Sequence, residues 1–360
     1  MHVDRVSGLT IQSGDGAYDV GYAETVTQLV GRLTSTPHGV AIVDEEVDRL
    51  YREQLAPLRQ QFPYYTAPAN EDEKTLEGVA RLIAFLQEQR ANRQTQLIAI
   101  GGGIMQDIAT FTSRVYYRGI PLRLVPTTLL GMADSCIGAK SAINFGAYKN
   151  QLGVFRSPSH VYICHRFLDT LPDEEVQSGY GEIVKLALAG SIADFENVEQ
   201  IVRSEGFRND RLPELINMSL CVKKRVIEID EYEAGLRKTL NYGHTFGHAL
   251  ESITDHAVPH GSAVAWGFDL ANFVAVKRGV LAREWFERIH AFVSANFAVR
   301  FGGPVSAAAL IEASRRDKKN VDGMLTMILL QQPGELMIQS VSYDDALERT
   351  ITEFLDLTVR

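Results

Sequence analysis

The stretch from Arg237 to Gly261 concentrates side chains that can do chemistry. It reads Arg237-Lys-Thr-Leu-Asn241-Tyr-Gly243-His244-Thr-Phe-Gly247-His248-Ala-Leu-Glu251, and Pro259-His260-Gly261 follows. His244 and His248 are four residues apart, so on a helix they share one face, the spacing of two metal ligands. Gly243 and Gly247, one before each histidine, would let backbone come close to whatever is bound. The same spacing also occurs in helices that bind nothing. A zinc, cobalt or iron centre needs a carboxylate or a further imidazole from elsewhere in the chain.

Other segments carry chemistry of a different kind. Gln96-Leu-Ile-Ala-Ile100 runs into Gly101-Gly102-Gly103 and then a helical pattern to Val115, an order that cradles a diphosphate on free helix N–H groups or makes only a tight turn. Asp44 closes the apolar run from Gly39, where an acid takes ribose hydroxyls or caps the next helix. Asp134 to Lys140 and Tyr148-Lys149-Asn150 set an acid, two lysines and an amide among small residues, as anion binding would require. Glu182 and Lys185, three apart, read as an exposed ion pair of little energetic value. Lys223-Lys224-Arg225 reads as a solvated helix face.

These groups need elements to position them. The amino-terminal part alternates strands (39–44, 96–100, 122–125) with helices (23–33, 73–90, 105–115), and the carboxyl-terminal part is mainly helical (174–189, 212–229, 263–278) before an apolar run, Met324 to Leu330. The fold class is α/β, with an α/β domain over 1–165 and a helical domain over 166–360. A chain of 360 residues with 45% hydrophobic and 22% charged content suits two globular domains. Its net charge of -9 argues against nucleic-acid or membrane-surface binding, since both demand a basic face. No apolar stretch approaches twenty residues, and the three scattered cysteines, Cys136, Cys164 and Cys221, read as buried thiols of a cytoplasmic protein.

The segments Gly101 to Asp107, Tyr117-Arg118-Gly119-Ile120, Pro126 to Leu130, Asp134 to Lys140, Lys149-Asn150, Glu182 to Lys185, Asp230-Glu231 and Arg237 to His248, in this order, resemble the sugar-phosphate cyclase family, with the 3-dehydroquinate synthase pattern nearest. The resemblance runs from about Asp44 to Lys319. It implies a Rossmann-like domain holding NAD and a helical domain holding a divalent metal, zinc or cobalt. The implied metal ligands are Glu182, His244 and His260, which leaves His248 to bond substrate. Lys140, Asn150, Asn241 and His248 match the phosphate grip, with Arg118 supplied by the neighbouring subunit of a homodimer. Lys185 matches a hydroxyl contact, Lys223 and Arg237 match the pair of cations on a substrate carboxylate, and Lys318 or Lys319 reaches the site. The NAD contacts implied are Asp44, Glu71 and Lys74 at the adenosine end, Gly102, Gly103 and Asp107 at the diphosphate, then Thr127, Thr128, Asp134, Lys149, Phe167, Thr170, Leu171 and Glu175. The family's chemistry oxidises a ring alcohol of a sugar phosphate, eliminates phosphate, reduces the ketone and closes a carbocycle.

Some positions depart from the pattern. Gln106 and Ala139 stand where glycines are usual, Phe145 to Tyr148 differs from the usual run before Lys149-Asn150, and Ser262 and Trp266 follow His260-Gly261 in place of a glutamate and a small apolar residue. If these line the pockets, the substrate is a different sugar phosphate, sedoheptulose 7-phosphate (valiolone-type product) or glucose 6-phosphate (2-deoxy-scyllo-inosose). Asn241, His248, Lys223 and Arg237 favour an acidic seven-carbon substrate. A polyol dehydrogenase of related fold needs no phosphate grip, and Lys140, Asn150 and Arg118 argue against it.

Overall fold

In the computed structural model the alternating pattern before residue 172 becomes a seven-stranded sheet flanked by helices. The structure describes residues 8–358 apart from 147, 298, 300, 302, 304 and 316–323. In chain order the elements are β1 (Leu9–Ile11), β2 (Tyr18–Tyr22), α1 (Val26–Thr34), β3 (Gly39–Asp44), α2 (Glu45–Leu50), α3 (Ala56–Gln61), β4 (Tyr64–Ala67), α4 (Leu76–Glu88), β5 (Gln96–Gly101), α5 (Gly103–Val115), β6 (Leu122–Pro126), β7 (Lys140–Phe145), β8 (Tyr148–Phe155) and β9 (His160–Ile163). The sheet order is β1-β2-β9-β6-β5-β3-β4, parallel except for the β1/β2 pair, and β7 with β8 forms a separate hairpin. Val40 to Val43 and Leu97 to Ile100 are buried, as strands covered on both faces must be. β3 has β4 on one side and β5 on the other, so the connections diverge there. Ligands bind beyond the carboxyl ends of strands at such a switch point, which here are Asp44 and Gly101-Gly102.

Beyond residue 172 come α6 (Asp173–Gly190), α7 (Ile192–Glu205), α8 (Leu212–Ile227), α9 (His244–Ile253), α10 (His260–Lys277), α11 (Arg283–Asn296), α12 (Ala307–Arg315), the hairpin β10 (Leu325–Gln332) and β11 (Glu335–Val341), and α13 (Asp345–Thr358). The apolar run from Met324 is thus largely strand. α10 is buried all round from Gly261 to Ala275, consistent with its apolar sequence on every face.

The two units do not divide at 165/166. One comprises 1–172 with 212–232, the other 173–211 with 233–360. α8 belongs with the sheet because its side chains are anchored there. Lys223 is ion-paired with Asp134, and Tyr22 donates to Asn217 at 3.0 Å. Just beyond α8, Glu228 and Glu231 accept the amides of Gln12 (2.8 Å) and Gly14 (2.7 Å). The turn over 165–170 stays with the sheet as well, with Phe167 packed edge-on against Tyr51 at 4.9 Å.

Candidate active site

In the helical unit, α6, α9 and α10 each deliver one donor to one point. Glu182 Oε1 lies 3.6 Å from His244 Nε2 and 3.4 Å from His260 Nε2, and one donor atom from each residue falls within 4.8 Å of the others. Helices carrying full side chains at the crossing could not come this close. A Cβ on Gly261 would meet Ser178 O at 1.7 Å, one on Gly181 would meet Gly261 O at 2.0 Å, and one on Gly267 would meet Gly243 O at 2.1 Å. Gly243 and Gly247 therefore bring backbone close to α10 rather than to a bound ligand.

The electrostatics of this point can be tested against a bound cation. Carboxylates and carbonyls only accept hydrogen bonds. His260 Nδ1 faces Glu251 at 3.2 and 3.3 Å, and His244 Nδ1 faces Tyr242 O at 3.2 Å. In each neutral ring the N–H must then sit on Nδ1, and both Nε2 lone pairs turn toward Glu182, whose side chain is 1% exposed. Lone pairs facing a buried carboxylate repel unless positive charge stands among them. Protons supply part of it on the bare chain. Burial lowers the pKa of His260, yet Glu182 and Glu251 outweigh it and hold the imidazole up at about 10. A divalent cation supplies the charge with the donors as they stand, and one carboxylate with two imidazoles suits zinc or cobalt with positions left open. The residues fit the ion.

Around this point the same unit sets Lys185, buried and ion-paired with Glu182, so the Glu182–Lys185 pair is no surface contact. His248 is exposed, its ring 5.1 Å from His244 and 5.8 Å from His260. Arg237 is buried, and Asn241 Nδ2 donates to Glu233 at 2.5 Å and to Lys238 O at 3.1 Å. Glu175 is exposed on the first turn of α6.

The sheet unit holds the rest. No side chain caps α5, so the amides at Gly102 and Gly103 are left for an anion. Asp44 caps α2 by accepting from Glu46 N at 2.8 Å through Oδ1, a role compatible with a ribose contact as well, and burial raises its pKa. Lys74 is buried and pairs with Asp107 at 2.7 Å and with Asn150 Oδ1 at 2.8 Å. Asn144 donates to Glu71 Oε1 at 2.9 Å and accepts from Asn150 N at 2.9 Å, and Lys149 lies 3.9 Å from Glu71. One network thus joins residues expected at the adenosine end and the diphosphate of NAD to Asn150, expected on the substrate phosphate. Thr127 is buried at the end of β6, and Thr128 accepts from Gly131 N at 3.0 Å. Lys223 is buried against Asp134 rather than on a solvated face, and it also donates to Asp134 O at 2.8 Å. Phe167 is core, Thr170 bonds Tyr51 OH at 2.9 Å, and Leu171 is half-buried. Lys140 and Arg118 are exposed, Arg118 in a left-handed turn (φ 64) after α5. Lys318 and Lys319 lie outside the described residues.

Two residues not singled out in the sequence contact residues expected in the site, each within its own unit. Glu251 holds His260, a role signalled only by its place three residues after His248 on the same helix face. Asn144 bridges Glu71 and Asn150, and nothing in its neighbourhood distinguishes it. The departures prove to be of different kinds. Trp266 is buried and packs against Phe301 (5.9 Å) and Phe354 (5.6 Å). Gln106 is buried and accepts from Ser135 at 3.0 Å.

Residues 64–178 match the family model for the N-terminal part of 3-dehydroquinate synthase, and residues 179–320 match that for its C-terminal part. A 3-dehydroquinate synthase of Latilactobacillus sakei subsp. sakei (strain 23K) is 35% identical over 339 residues, covering 91% of this chain and 92% of its own. Among solved structures, a 2-deoxy-scyllo-inosose synthase complexed with carbaglucose-6-phosphate, NAD+ and Co2+ has a TM-score of 0.86 at 25% identity, covering 96% of this chain and 99% of that one. A 2-epi-5-epi-valiolone synthase from Streptomyces hygroscopicus subsp. jinggangensis 5008, with NAD+ and Zn2+ bound, has a TM-score of 0.84 at 26% identity, covering 98% and 99%. The Rossmann-like sheet unit and the helical unit are the architecture of these cyclases. The chain belongs to the 3-dehydroquinate synthase family of sugar-phosphate cyclases, enzymes that eliminate phosphate and close a carbocycle.

Proposed function

We propose that the protein is a 3-dehydroquinate synthase, a carbon–oxygen lyase that converts 3-deoxy-D-arabino-heptulosonate 7-phosphate to 3-dehydroquinate with loss of phosphate, the step of the shikimate pathway toward aromatic amino acids. The observation that carries this reading is the convergence of Glu182, His244 and His260 on one point, with buried Lys185 ion-paired to Glu182. When bound, a divalent ion on Glu182, His244 and His260 supplies Lewis-acid polarisation of a substrate oxygen, and NAD supplies a hydride acceptor that returns its hydride.

The chain's own residues do the rest. Arg237 and Lys223 are the cations for the substrate carboxylate, a charge-assisted contact that a neutral sugar phosphate does not make. Lys140, Asn150, Asn241 and His248 grip the phosphate and orient it as a leaving group. Lys185, held by Glu182, donates to a substrate hydroxyl. Asp44, Glu71, Lys74, Asp107, Thr127, Thr128 and the amides of Gly102 and Gly103 hold NAD, with Asp134, Lys149, Phe167, Thr170, Leu171 and Glu175 completing its contacts. The packing of Trp266 against aromatic rings gives that departure a structural reason independent of the substrate. The same reading includes a homodimer in which Arg118 serves the partner's site. It also includes a cytoplasmic setting, which suits the unpaired and buried thiols of Cys136 and Cys164.

The test is phosphate release by the purified protein with NAD and zinc or cobalt. 3-Deoxy-D-arabino-heptulosonate 7-phosphate, sedoheptulose 7-phosphate and glucose 6-phosphate are offered separately. Turnover of the first with no net NADH is expected. Turnover of only a neutral sugar phosphate would move the protein to a sibling cyclase, and net NADH without phosphate release would make it a polyol dehydrogenase.

A further inference from the structure

Glu251 has no role in the chemistry described above, yet its carboxylate lies against the imidazole of His260. Both of its oxygens face Nδ1, at 3.2 and 3.3 Å, and its side chain is 13% exposed. It stands on α9, the helix that also carries His244 and His248, whereas His260 opens α10. From the geometry we infer that Glu251 is a positioning residue for the metal centre: it fixes the tautomer and ring angle of His260 so that Nε2 presents its lone pair where His244 and Glu182 also point.

The argument is one of donors and acceptors. An imidazole ring is free to rotate about Cβ–Cγ and to carry its proton on either nitrogen. An ionised carboxylate accepts only, so hydrogen bonding to it keeps the proton on Nδ1 and sets the ring plane. His244 needs no such side chain, because Tyr242 O, two residues before it, does the same at 3.2 Å. His260 is preceded by Pro259, and its Nδ1 partner is the side chain of Glu251, nine residues earlier in the chain. Each imidazole of the centre thus has an outer acceptor, one from backbone and one from Glu251. Outer partners of this kind hold metal-bound histidines, and their loss costs about 10- to 100-fold in metal affinity.

His248, Glu251 and His260 also form a second set of donors mutually within 4.8 Å. Two roles for Glu251 follow from this closeness. As a ligand it would hold an ion of its own, and as an orienting group it serves the ion on Glu182. The bifurcated contact to His260 Nδ1 favours orientation, because a ring that donates through Nδ1 has no lone pair there for a second ion.

The inference rests on the assignment of Glu182, His244 and His260 as the metal centre, and its test separates the two claims. Co2+ binding to the metal-stripped full chain is titrated through its visible absorption, without substrate, for the wild type, Glu251→Gln, Glu251→Ala and Glu182→Ala. NAD affinity and the unfolding midpoint of the stripped protein are measured alongside. The expected result is one Co2+ per chain for the wild type, about tenfold weaker binding for Glu251→Gln, which keeps an acceptor without the charge, and about a hundredfold weaker for Glu251→Ala. NAD affinity and the midpoint stay unchanged in Glu251→Gln, a pattern that a merely structural residue would not give. Wild-type Co2+ affinity in both Glu251 variants, with binding abolished in Glu182→Ala, overturns the inference and leaves the metal centre standing. A second Co2+ in the wild type that disappears in Glu251→Gln also overturns it, making Glu251 a ligand. Undiminished binding by Glu182→Ala overturns the centre itself, and the inference with it.

Discussion

Gly261 donates its amide to Ser178 Oγ at 2.9 Å, and a Cβ placed on Gly261 would lie 1.7 Å from Ser178 O. The residues flanking this contact are two of the proposed ligands: His260 precedes Gly261, and Glu182 lies one turn of α6 beyond Ser178. The contact therefore sets the distance between them. Gly261→Ala must push α6 and α10 apart, at a cost of about 3 kcal/mol for overpacking a filled interior. Urea unfolding of the metal-stripped variant checks this, and Co2+ titration should show binding lost beyond the change in stability.

Removing a ligand separates the metal from the nucleotide. His260→Ala should lower phosphate release by roughly a thousandfold, about 4 kcal/mol of lost transition-state stabilisation, with NAD affinity within about twofold of the wild type by fluorescence titration. Treatment with a chelator should reproduce the loss, and added zinc or cobalt should reverse it. Full activity in His260→Ala would strike it from the ligand set.

Arg237 should distinguish substrates by charge. Its replacement by alanine removes a buried guanidinium, and kcat/KM for the acidic seven-carbon sugar phosphate should fall about a hundredfold, mostly through KM. Sedoheptulose 7-phosphate, which has no carboxylate, should bind with its affinity reduced no more than about threefold. Equal losses for both would show that Arg237 is not the carboxylate's partner.

Ala139 adopts φ 63, a left-handed conformation that costs an L-residue about 1 kcal/mol and glycine almost nothing. Ala139→Gly should therefore stabilise the sheet unit by up to about 1 kcal/mol, reduced by the greater freedom of glycine in the unfolded chain. A melting temperature raised by about 2 °C is the expected reading. A fall would mean that the alanine methyl makes contacts worth more than its strain.

Half-buried His290 lies with Nδ1 2.7 Å from Oδ2 of buried Asp269 in the helical unit. The hydrogen bond to Asp269 raises the histidine above its usual 6.5, burial opposing it, while burial raises Asp269 despite His290. A folded-state pKa above the unfolded value contributes stability that is whole below about 6.5 and is lost as pH rises through the raised value. His290→Leu, which strands the carboxylate, should cost about 3 kcal/mol at pH 6. The gap from the wild type should narrow toward pH 9, as chemical unfolding at both values would show.

Sequence patterns made the middle of the sheet legible because β3 and β5 are buried on both faces and read as unbroken apolar runs over Val40–Val43 and Leu97–Ile100. The edges were not. β1 spans three residues, Leu9–Ile11, and β8 exposes nearly every side chain from Tyr148 to Gln151, so neither shows a strand's period. The histidine block announced a metal by spacing, but spacing favoured His248, and only the family pattern pointed to His260, whose partner Glu182 is far away in the chain. Lys185 and Lys223 looked like surface charges because burial of a lysine depends on a partner from another element. Glu182 supplies it in one case and Asp134 in the other.

The helix α10 is sheathed by its own unit on every side from Gly261 to Ala275, and His260 stands at its first turn. An arriving ion therefore meets a cage whose shape the surrounding interior has already set. Such a cage differs from a zinc finger, where the ion gathers the chain around itself. On the proposed ligand set folding should come first and metallation second, so stripping the ion should silence the enzyme without unfolding it, and resupply should wake it again.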